Sequence, residues 1–176
     1  MVAATLEDGQ TFLMAKSAAD IIGETCDQVA ALPWRQGADG KVRVLLITSR
    51  TNGKWMLPKG WRMEGKSDFA SALIEAREEA GIDGEVSHVP IGSYRYIKLF
   101  NDGGSMPAQA VVYPVNVTSQ REKWDEKHQR SRRWVSLKKA AELVFEPDLK
   151  RFLFGLREEA LVMFTAAGPH LDKSLA

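Results

Sequence analysis

Three glutamates stand close together in the first half of the chain, at positions 75, 78 and 79. In an α-helix, residues three and four apart lie on one face, so Glu75, Glu78 and Glu79 would share a surface. Such like-charged pairs each destabilise an isolated helix by about 0.2–0.5 kcal/mol. A divalent cation would remove this cost, because magnesium and manganese prefer hard carboxylate oxygens. The spacing therefore indicates a metal site, and the alternative is a solvated acidic face built from a common helix former.

The residues around the glutamates complete the description of this helix. Ser67 suits the N-cap position and Gly81 the position just after the helix. Its apolar residues share a second face that can be buried: Phe69, Leu73, Ala76 and Ala80. Magnesium is usually held by one or two carboxylates together with substrate phosphates. The segment thus favours metal-assisted chemistry on a phosphorylated small molecule.

The whole stretch 57–82 resembles the Nudix box. That motif is a Gly, five residues, Glu, seven residues, Arg-Glu, an aliphatic, any residue, Glu-Glu, any residue, Gly and an aliphatic. Gly60 matches the first glycine, and the second half is matched by Glu75, Ala76, Glu78, Glu79, Gly81 and Ile82. Lys66 replaces the first glutamate and Ile74 replaces the arginine. In the family this arginine orients a box carboxylate, so the resemblance implies that another group does so here.

The resemblance implies an α/β/α sandwich around a mixed sheet and hydrolysis of a phosphoanhydride by metal-activated water. Glu78, Glu79 and the Gly60 carbonyl would hold Mg²⁺, with Mn²⁺ as the alternative ion. Glu75 would be a further ligand or the base that deprotonates the water.

A second group of residues lies between positions 124 and 134. Its Trp-Asp-Glu sequence, followed by arginines and a tryptophan, resembles the diphosphoinositol polyphosphate phosphohydrolase branch of the Nudix family. That resemblance implies an additional ligand or base from this loop, with Glu126 as the first candidate and Asp125 as the second. Arg132 and Arg133 would alternate across a strand, and we expect Arg133 to face the site, because guanidinium groups suit phosphate oxygens.

Further basic and aromatic residues lie in or near the box. We expect a basic rim that attracts a highly phosphorylated substrate, formed from Arg35, Arg50, Lys54, Lys59, Arg62 and Lys66. Trp61 and either Tyr94 or Tyr96 would stack on a base or line the pocket, although strand aromatics more often belong to the core. His88 and His128 have no metal-binding spacing and are expected to be structural or exposed.

Composition restricts the kind of protein. The 176 residues suit a single domain, 1–176, with an extension at about 1–24 and a frayed tail at 168–176. A net charge of +1 makes a nucleic-acid partner unexpected, and no apolar run approaches the length of about 20 residues that spans a membrane. Cys26 is the single cysteine, which fits a reducing compartment and a cytoplasmic location. The oligomeric state stays open.

The pattern of elements agrees with an α+β sandwich. Strands are predicted at 26–34, 42–48, 55–57, 85–92, 93–100, 107–117 and 131–135. Turns or loops are predicted at 36–41, 49–54, 101–104 and 121–130, and Pro114 indicates a sheet edge or a bulge. Besides the box helix, helices are predicted at 17–22, at 137–145 after the N-cap Ser136, and from Pro147 to about Ala160.

Three functions fit these observations. The first is hydrolysis of a diphosphoinositol polyphosphate, a dinucleoside polyphosphate or a smaller nucleoside diphosphate derivative such as ADP-ribose. The second is a catalytically quiet Nudix-fold binding module, which Lys66 and Ile74 would support. The third is an RNA-end pyrophosphohydrolase, whose nucleic-acid binding would weaken steeply with salt.

Overall fold

A mixed sheet forms the centre of the chain in the computed structural model, which describes residues 4–5, 11–12, 26–100 and 102–166. The strands are β1 (Ala4–Thr5), β2 (Thr11–Phe12), β3 (Cys26–Gln36), β4 (Val42–Thr48), β5 (Trp55–Met56), β6 (Lys59–Trp61), β7 (Ile82–Val86), β8 (Gly92–Leu99), β9 (Ser105–Gln120) and β10 (Arg132–Val135). The helices are α1 (Asp68–Ala80), α2 (Leu137–Leu143), α3 (Pro147–Gly155) and α4 (Glu158–Ala166). The helix predicted at 17–22 and the tail at 168–176 lie outside the described residues.

The sheet follows the order β10-β4-β3-β9-β7 along its main path. Strands β3 and β9 are parallel, with Val29 opposite Val111, whereas the other pairs in this sheet are antiparallel. Strand β5 adds to β4, β6 adds to β3, and β8 adds to β9. Strands β1 and β2 form a separate two-stranded pair. The predicted mixed sheet is confirmed.

The alternating direction of side chains along the central strands explains why helices can pack on both faces of the sheet, in three layers. Side chains of a strand point to opposite faces in turn, so one strand can supply two cores. Val29 and Ala31 of β3 join the core under α1, which contributes Ala72, Ala76 and Ala80. Ala30 and Leu32 join the opposite core, which includes Leu137, Leu149 and Leu161 of the other three helices. Helices therefore cover both faces, and the predicted α/β/α sandwich is confirmed.

Helix α1 begins and ends as its sequence predicts. The Ser67 hydroxyl oxygen accepts a hydrogen bond from the Ala70 N–H at 3.4 Å. Gly81 has φ 61° and ψ 35°, in the left-handed region where glycine carries no steric penalty, and its N–H donates to the Arg77 carbonyl at 3.1 Å. Local capping signals thus fix the helix that carries the glutamates.

Pro114 differs from its predicted edge or bulge position. It lies inside β9, which pairs with β3 along one side and with β8 and β7 along the other. Pairing with β8 ends at Val112, and pairing with β7 begins at Val115. Proline is tolerated in this central strand because its missing N–H falls where the neighbouring strand changes. The prediction of an edge or bulge is therefore wrong.

Two elements differ more from the predictions than the small shifts at other boundaries. The strand predicted at 85–92 begins earlier, as β7 at Ile82, because the left-handed Gly81 turns the chain directly out of α1. The last predicted helix is two helices: α3 ends at Gly155, Leu156 is extended with ψ 137°, and α4 begins at Glu158. A shared apolar spacing across residues 149–160 does not reveal this interruption. In the described part of the chain, no helix is long and apolar enough to cross a membrane.

Candidate active site

A cleft of about 540 Å³ opens beside the N-terminal half of the box. Its lining comes from many segments: β3, the β4–β5 loop, β5, β6, α1, β8, the polar segment 121–131 and the start of α3. Its polar lining includes Arg50, Lys54, Lys59, Glu75, Glu79, Lys98, Glu126, Arg130 and Glu146. The fold thus brings carboxylates and cations that are distant in sequence into one concave surface.

Glu75 and Glu79 reach the cleft because they lie one helical turn apart, on a face that the buried Ala72 and Ala76 leave free. The Glu75 carboxylate lies directly against the backbone of Gly60, where any Cβ would overlap it. A glycine is needed at position 60 for this close approach, rather than for an unusual backbone angle.

The electrostatics of Glu75 are set by burial and by like charges. Burial first, and then the charges of Glu79, Glu78 and Glu126, together raise its pKa from 4.5 to about 7. Lys59 opposes this shift. Among the described residues, no group donates a hydrogen bond to the Glu75 carboxylate. It is therefore a half-buried acid without a fixed partner.

Glu79 differs from Glu75 because its carboxylate has hydrogen-bond partners. It is 6% exposed, and its Oε2 accepts a hydrogen bond from the Lys59 backbone N–H at 2.9 Å. Its Oε1 accepts from the Arg130 guanidinium. Burial raises the pKa of Glu79, while the positive charges of Arg130 and Lys59 act to lower it.

The polar segment 121–131 docks on the C-terminal end of α1. Trp124 packs against Gly81, where a Cβ would lie 2.6 Å from its ring. Arg132 donates to the Ala80 carbonyl at 2.8 Å and stacks on Trp124 at 4.0 Å from the ring centroid. The Glu126 N–H donates to the Glu78 carbonyl at 3.3 Å. This docking places Glu126 at the cleft, next to the helix glutamates.

Cations surround the carboxylates on the cleft side. Burial lowers the pKa of Lys59 to about 8, and its ammonium lies 4.5 Å from the Tyr96 ring centroid. Arg50 Nη1 donates to Glu126 Oε1 at 3.1 Å. The Lys54 ammonium lies 3.0 Å from the ring centroid of Phe145. These cations can attract the oxygens of a phosphorylated substrate.

Several residues of the predicted rim lie outside the cleft lining. Arg62 is held by Asp27 at 3.1 Å and Asp68 at 3.0 Å, away from the glutamates. Lys66 is exposed in the turn before α1, and Arg133 is exposed on β10. Arg35 stacks on Trp134 at 4.1 Å. Their placement does not support the substrate-binding roles predicted for Arg62, Lys66 and Arg133.

The choice between the two arginines of β10 is also corrected. Arg132, rather than Arg133, points back to the box helix, but it is engaged by the backbone carbonyls of Ala80 and Arg121. Glu78 and Asp125 are exposed and do not line the cleft, although the charge of Glu78 acts on Glu75.

The predicted aromatic residues divide into two kinds. Trp61 is 48% exposed at the cleft, so its ring is available to a ligand. Tyr94 and Tyr96 also line the cleft but are buried, at 3% and 8% exposure, and belong to the core. His88 stacks on Phe69 with ring centroids 4.2 Å apart, which agrees with a structural role.

Sequence reasoning assigned no role to three charged residues of the cleft, namely Lys98, Arg130 and Glu146. Arg130 stood within the arginine-rich group, but nothing local distinguished it from Arg132 and Arg133. Burial raises the pKa of Glu146, which immediately precedes Pro147 at the start of α3. These positions depend on contacts between distant segments, which a local pattern does not contain.

The carboxylate and carbonyl oxygens at the cleft are ligands that suit a hard divalent cation. Within the described residues, no three His, Cys, Asp or Glu side chains gather as a closed metal-binding group. Magnesium needs only one or two carboxylates when substrate phosphates complete its shell. A carboxylate offers about four lone pairs, so Glu79 keeps free ones beside its two hydrogen bonds. Glu79 and the Gly60 carbonyl line the cleft and are the oxygens that would hold the ion, whereas Glu78, the other predicted ligand, does not line it.

Solved structures of other proteins have a fold similar to that of this chain. Among solved structures, the chain resembles a Caenorhabditis elegans Ap4A hydrolase in a binary complex, with TM-score 0.56 and 18% identity, covering 82% of this chain and 100% of that one. It also resembles the NUDIX domain of Shewanella oneidensis NrtR complexed with ADP ribose, with TM-score 0.54 and 16% identity, covering 78% and 95%.

Sequence relatives point the same way. Nudix hydrolase 21, chloroplastic, of Arabidopsis thaliana is 36% identical over 123 residues, which are 65% of this chain and 58% of that protein. Nudix hydrolase 12, mitochondrial, from the same plant is 29% identical over 126 residues, covering 68% and 62%. The match thus spans about three-fifths of the length of these relatives. The model of the NUDIX domain matches residues 27–156, and the chain therefore belongs to the Nudix family.

Proposed function

We propose that the chain is a metal-dependent pyrophosphohydrolase that cleaves a phosphoanhydride bond in a phosphorylated small molecule. The observation that supports this most is the convergence of Glu75, Glu79 and Glu126 on one cleft, next to Arg50 and Lys59. Nudix hydrolases generally use divalent metals. Here we propose Mg²⁺, with Mn²⁺ as the alternative, because the donors are hard oxygens. A bound ion would neutralise phosphate oxygens and lower the pKa of the attacking water.

The residues of the chain have separate roles in this proposal. Lys59 and Arg50 bind phosphate oxygens at the cleft. Glu75 accepts the proton of the attacking water, because its carboxylate has no fixed partner whereas Glu79 and Glu126 each accept from an arginine. The water oxygen forms a bond to phosphorus as the bridging P–O bond breaks, and the leaving phosphate keeps the electron pair of that bond.

The walls of the cleft favour a substrate that contains a nucleoside. Trp61 lines the cleft and is 48% exposed, so it offers a ring face to a base, whereas the Lys54 ammonium covers a face of the other exposed ring, Phe145. Of the predicted rim, only Arg50, Lys54 and Lys59 line the cleft, beside Lys98, and Arg50 shares its charge with Glu126. A dinucleoside polyphosphate or ADP-ribose is therefore preferred over a diphosphoinositol polyphosphate, which would need more free cations.

The test is a panel of substrates with Mg²⁺ or Mn²⁺ and with a chelator. It contains a diadenosine polyphosphate, ADP-ribose, a diphosphoinositol polyphosphate and a 5′-triphosphate RNA. We expect phosphate-product release from the nucleotides that stops when the metal is removed. Preferential hydrolysis of the inositol compound or of the RNA would contradict the nucleotide assignment. Binding without hydrolysis of any substrate would favour the quiet binding module.

A matched pair of variants tests the aromatic wall. Trp61→Leu should raise the KM for a diadenosine polyphosphate by about 10-fold, since base stacking contributes about 1–3 kcal/mol. Phe154→Leu removes another exposed aromatic ring, at 57% exposure, that lies outside the cleft lining, and it should leave the KM unchanged. An unchanged KM in Trp61→Leu would remove the stacking role.

A further inference from the structure

Arg130 connects three separate segments of the chain through one buried guanidinium. Its side chain is 5% exposed. Nη2 donates to Glu79 of α1, Nε donates to Glu126 at 2.5 Å, and Nη1 donates to the carbonyl of Thr48, at the end of β4, at 3.0 Å. All three guanidinium nitrogens therefore have partners, which fixes the side chain in place.

Helix α1 contributes no cation of its own to this group. Position 74, just before Glu75, is Ile74. Arg77, the arginine of the helix, donates to Asp83 at 2.9 Å on another side. The guanidinium that bonds the Glu79 carboxylate therefore comes from a residue 51 positions later in the chain.

Glu126 depends on the same arginine. It lies four residues before Arg130, and the Arg130 N–H donates to the Glu126 carbonyl at 3.1 Å, which forms one helical turn. Its second partner, Arg50, has a side chain that is 56% exposed and is therefore a weaker anchor. Arg130 is thus the buried anchor of the Glu126 carboxylate.

We infer that Arg130 is a positioning residue, which holds Glu79 of α1 and Glu126 of the segment 121–131 in one fixed arrangement at the cleft. The inference rests on the proposed function, because it assumes that these carboxylates act on a substrate. A planar guanidinium can bond two carboxylates and a carbonyl at once, whereas a lysine ammonium cannot reproduce this geometry.

The experiment compares Arg130→Met, which keeps an apolar stem, with Arg130→Lys, which keeps the charge. Arg121→Met is the matched control, because Arg121 belongs to the same segment but its exposed side chain pairs with Asp83 at 3.6 Å. The measurements are kcat and KM on the best substrate of the panel, and the affinity of the substrate-free protein for Mn²⁺. Circular dichroism establishes that each variant is folded.

We expect Arg130→Met to lower kcat by about 100-fold with little change in KM, since small misplacements of reacting groups have effects of that size. Mn²⁺ affinity should fall by about 10-fold or more, as when an outer partner of a ligand is lost. Arg130→Lys should retain only part of the parent's kcat and Mn²⁺ affinity, and Arg121→Met should match the parent in both quantities. Should Arg130→Met fail to fold, the same comparison is made between Arg130→Lys and Arg121→Lys.

A double-substitution cycle separates positioning from general stabilisation. If Arg130 acts through Glu126, adding Glu126→Gln to Arg130→Met should lower kcat far less than it does in the parent. The inference would be overturned if the two substitutions lowered kcat additively in the double variant. It would also be overturned if Arg130→Met kept the kcat and Mn²⁺ affinity of the parent. If the parent hydrolyses no substrate, the proposed function fails, and the Mn²⁺ affinities then decide alone whether Arg130 arranges the carboxylates.

Discussion

Glu75 and Glu79 lie one turn apart on the same helix, yet their surroundings differ. Glu75 is half-buried, has no hydrogen-bond donor among the described residues, and has its pKa raised to about 7. Glu79 is more deeply buried and is held by Arg130 and the Lys59 N–H. Helical spacing therefore determines where the carboxylates lie, whereas contacts from other segments determine which one has fixed hydrogen-bond partners.

The largest effect on stability should follow removal of the paired carboxylate. Glu79→Ala leaves Nη2 of the buried Arg130 guanidinium without its partner, while Glu126 and the Thr48 carbonyl still hold the other two nitrogens, and such a loss costs about 1–3 kcal/mol in the free energy of unfolding. Glu78→Ala, next to it on the exposed side of the helix, should change that free energy by less than about 0.5 kcal/mol. Urea denaturation of both variants measures the difference. An equal loss of unfolding free energy in both variants would show that the contact with Arg130 does not make Glu79 more important for stability than Glu78.

The contact between Glu75 and Gly60 should affect catalysis more than stability. Gly60→Ala places a methyl group where the Glu75 carboxylate lies, and the end of that side chain can move aside. We expect kcat to fall by about 100-fold while the protein stays folded. Gly155→Ala is the control, since a Cβ at Gly155 has open space around it. A Gly60→Ala enzyme as active as the parent would show that the position of Glu75 is unimportant.

These two residues also show how far sequence analysis reaches. Helix α1, its caps and its acidic face were predictable, because Ser67, Gly81 and the i, i+3, i+4 spacing are local signals. The docking of segment 121–131 at the cleft followed only from a resemblance, and the role of Arg130 was not predictable. Its contacts to Glu79 and Thr48 span 51 and 82 residues, and no local pattern encodes such pairs.

Part of the predicted rim lies outside the cleft lining for a related reason, whereas Arg50, Lys54 and Lys59 line it. Arg62, Lys66 and Arg133 are near the box in sequence or in the resemblance, but Arg62 is neutralised by two aspartates and the other two are exposed away from the cleft. Charge alone did not indicate the direction of these side chains. The cytoplasmic location stays a prediction.

The pKa of Glu75 predicts a smaller, pH-dependent effect on stability. A carboxyl group whose pKa rises on folding, here from 4.5 to about 7, contributes stability below pH 4.5 that is lost as the pH rises through 7. In metal-free protein, Glu75→Gln should therefore raise the Tm relative to the parent at about pH 8 more than at about pH 4. Glu85→Gln, an exposed control on β7, should show no such trend. A difference independent of pH would contradict the unpaired state of Glu75.

The smallest effect is expected at Lys66, which stands where the Nudix box has a glutamate. Because Lys66 is exposed and outside the cleft lining, Lys66→Glu should change kcat/KM by less than about 3-fold, the size of an ordinary surface substitution. A steady-state assay on the best substrate measures this. A large gain in activity would show that the lysine suppresses a carboxylate role at this position.

The most direct test of the catalytic proposal is the rate of phosphoanhydride hydrolysis by the parent and by Glu79→Gln, with Glu85→Gln as the matched control. We expect metal-dependent hydrolysis by the parent, an unchanged rate in Glu85→Gln, and a loss of about 100-fold or more in Glu79→Gln, because a positioned carboxylate of the cleft is replaced by a neutral amide. Equal rates for Glu79→Gln and the parent would contradict a catalytic role for this carboxylate.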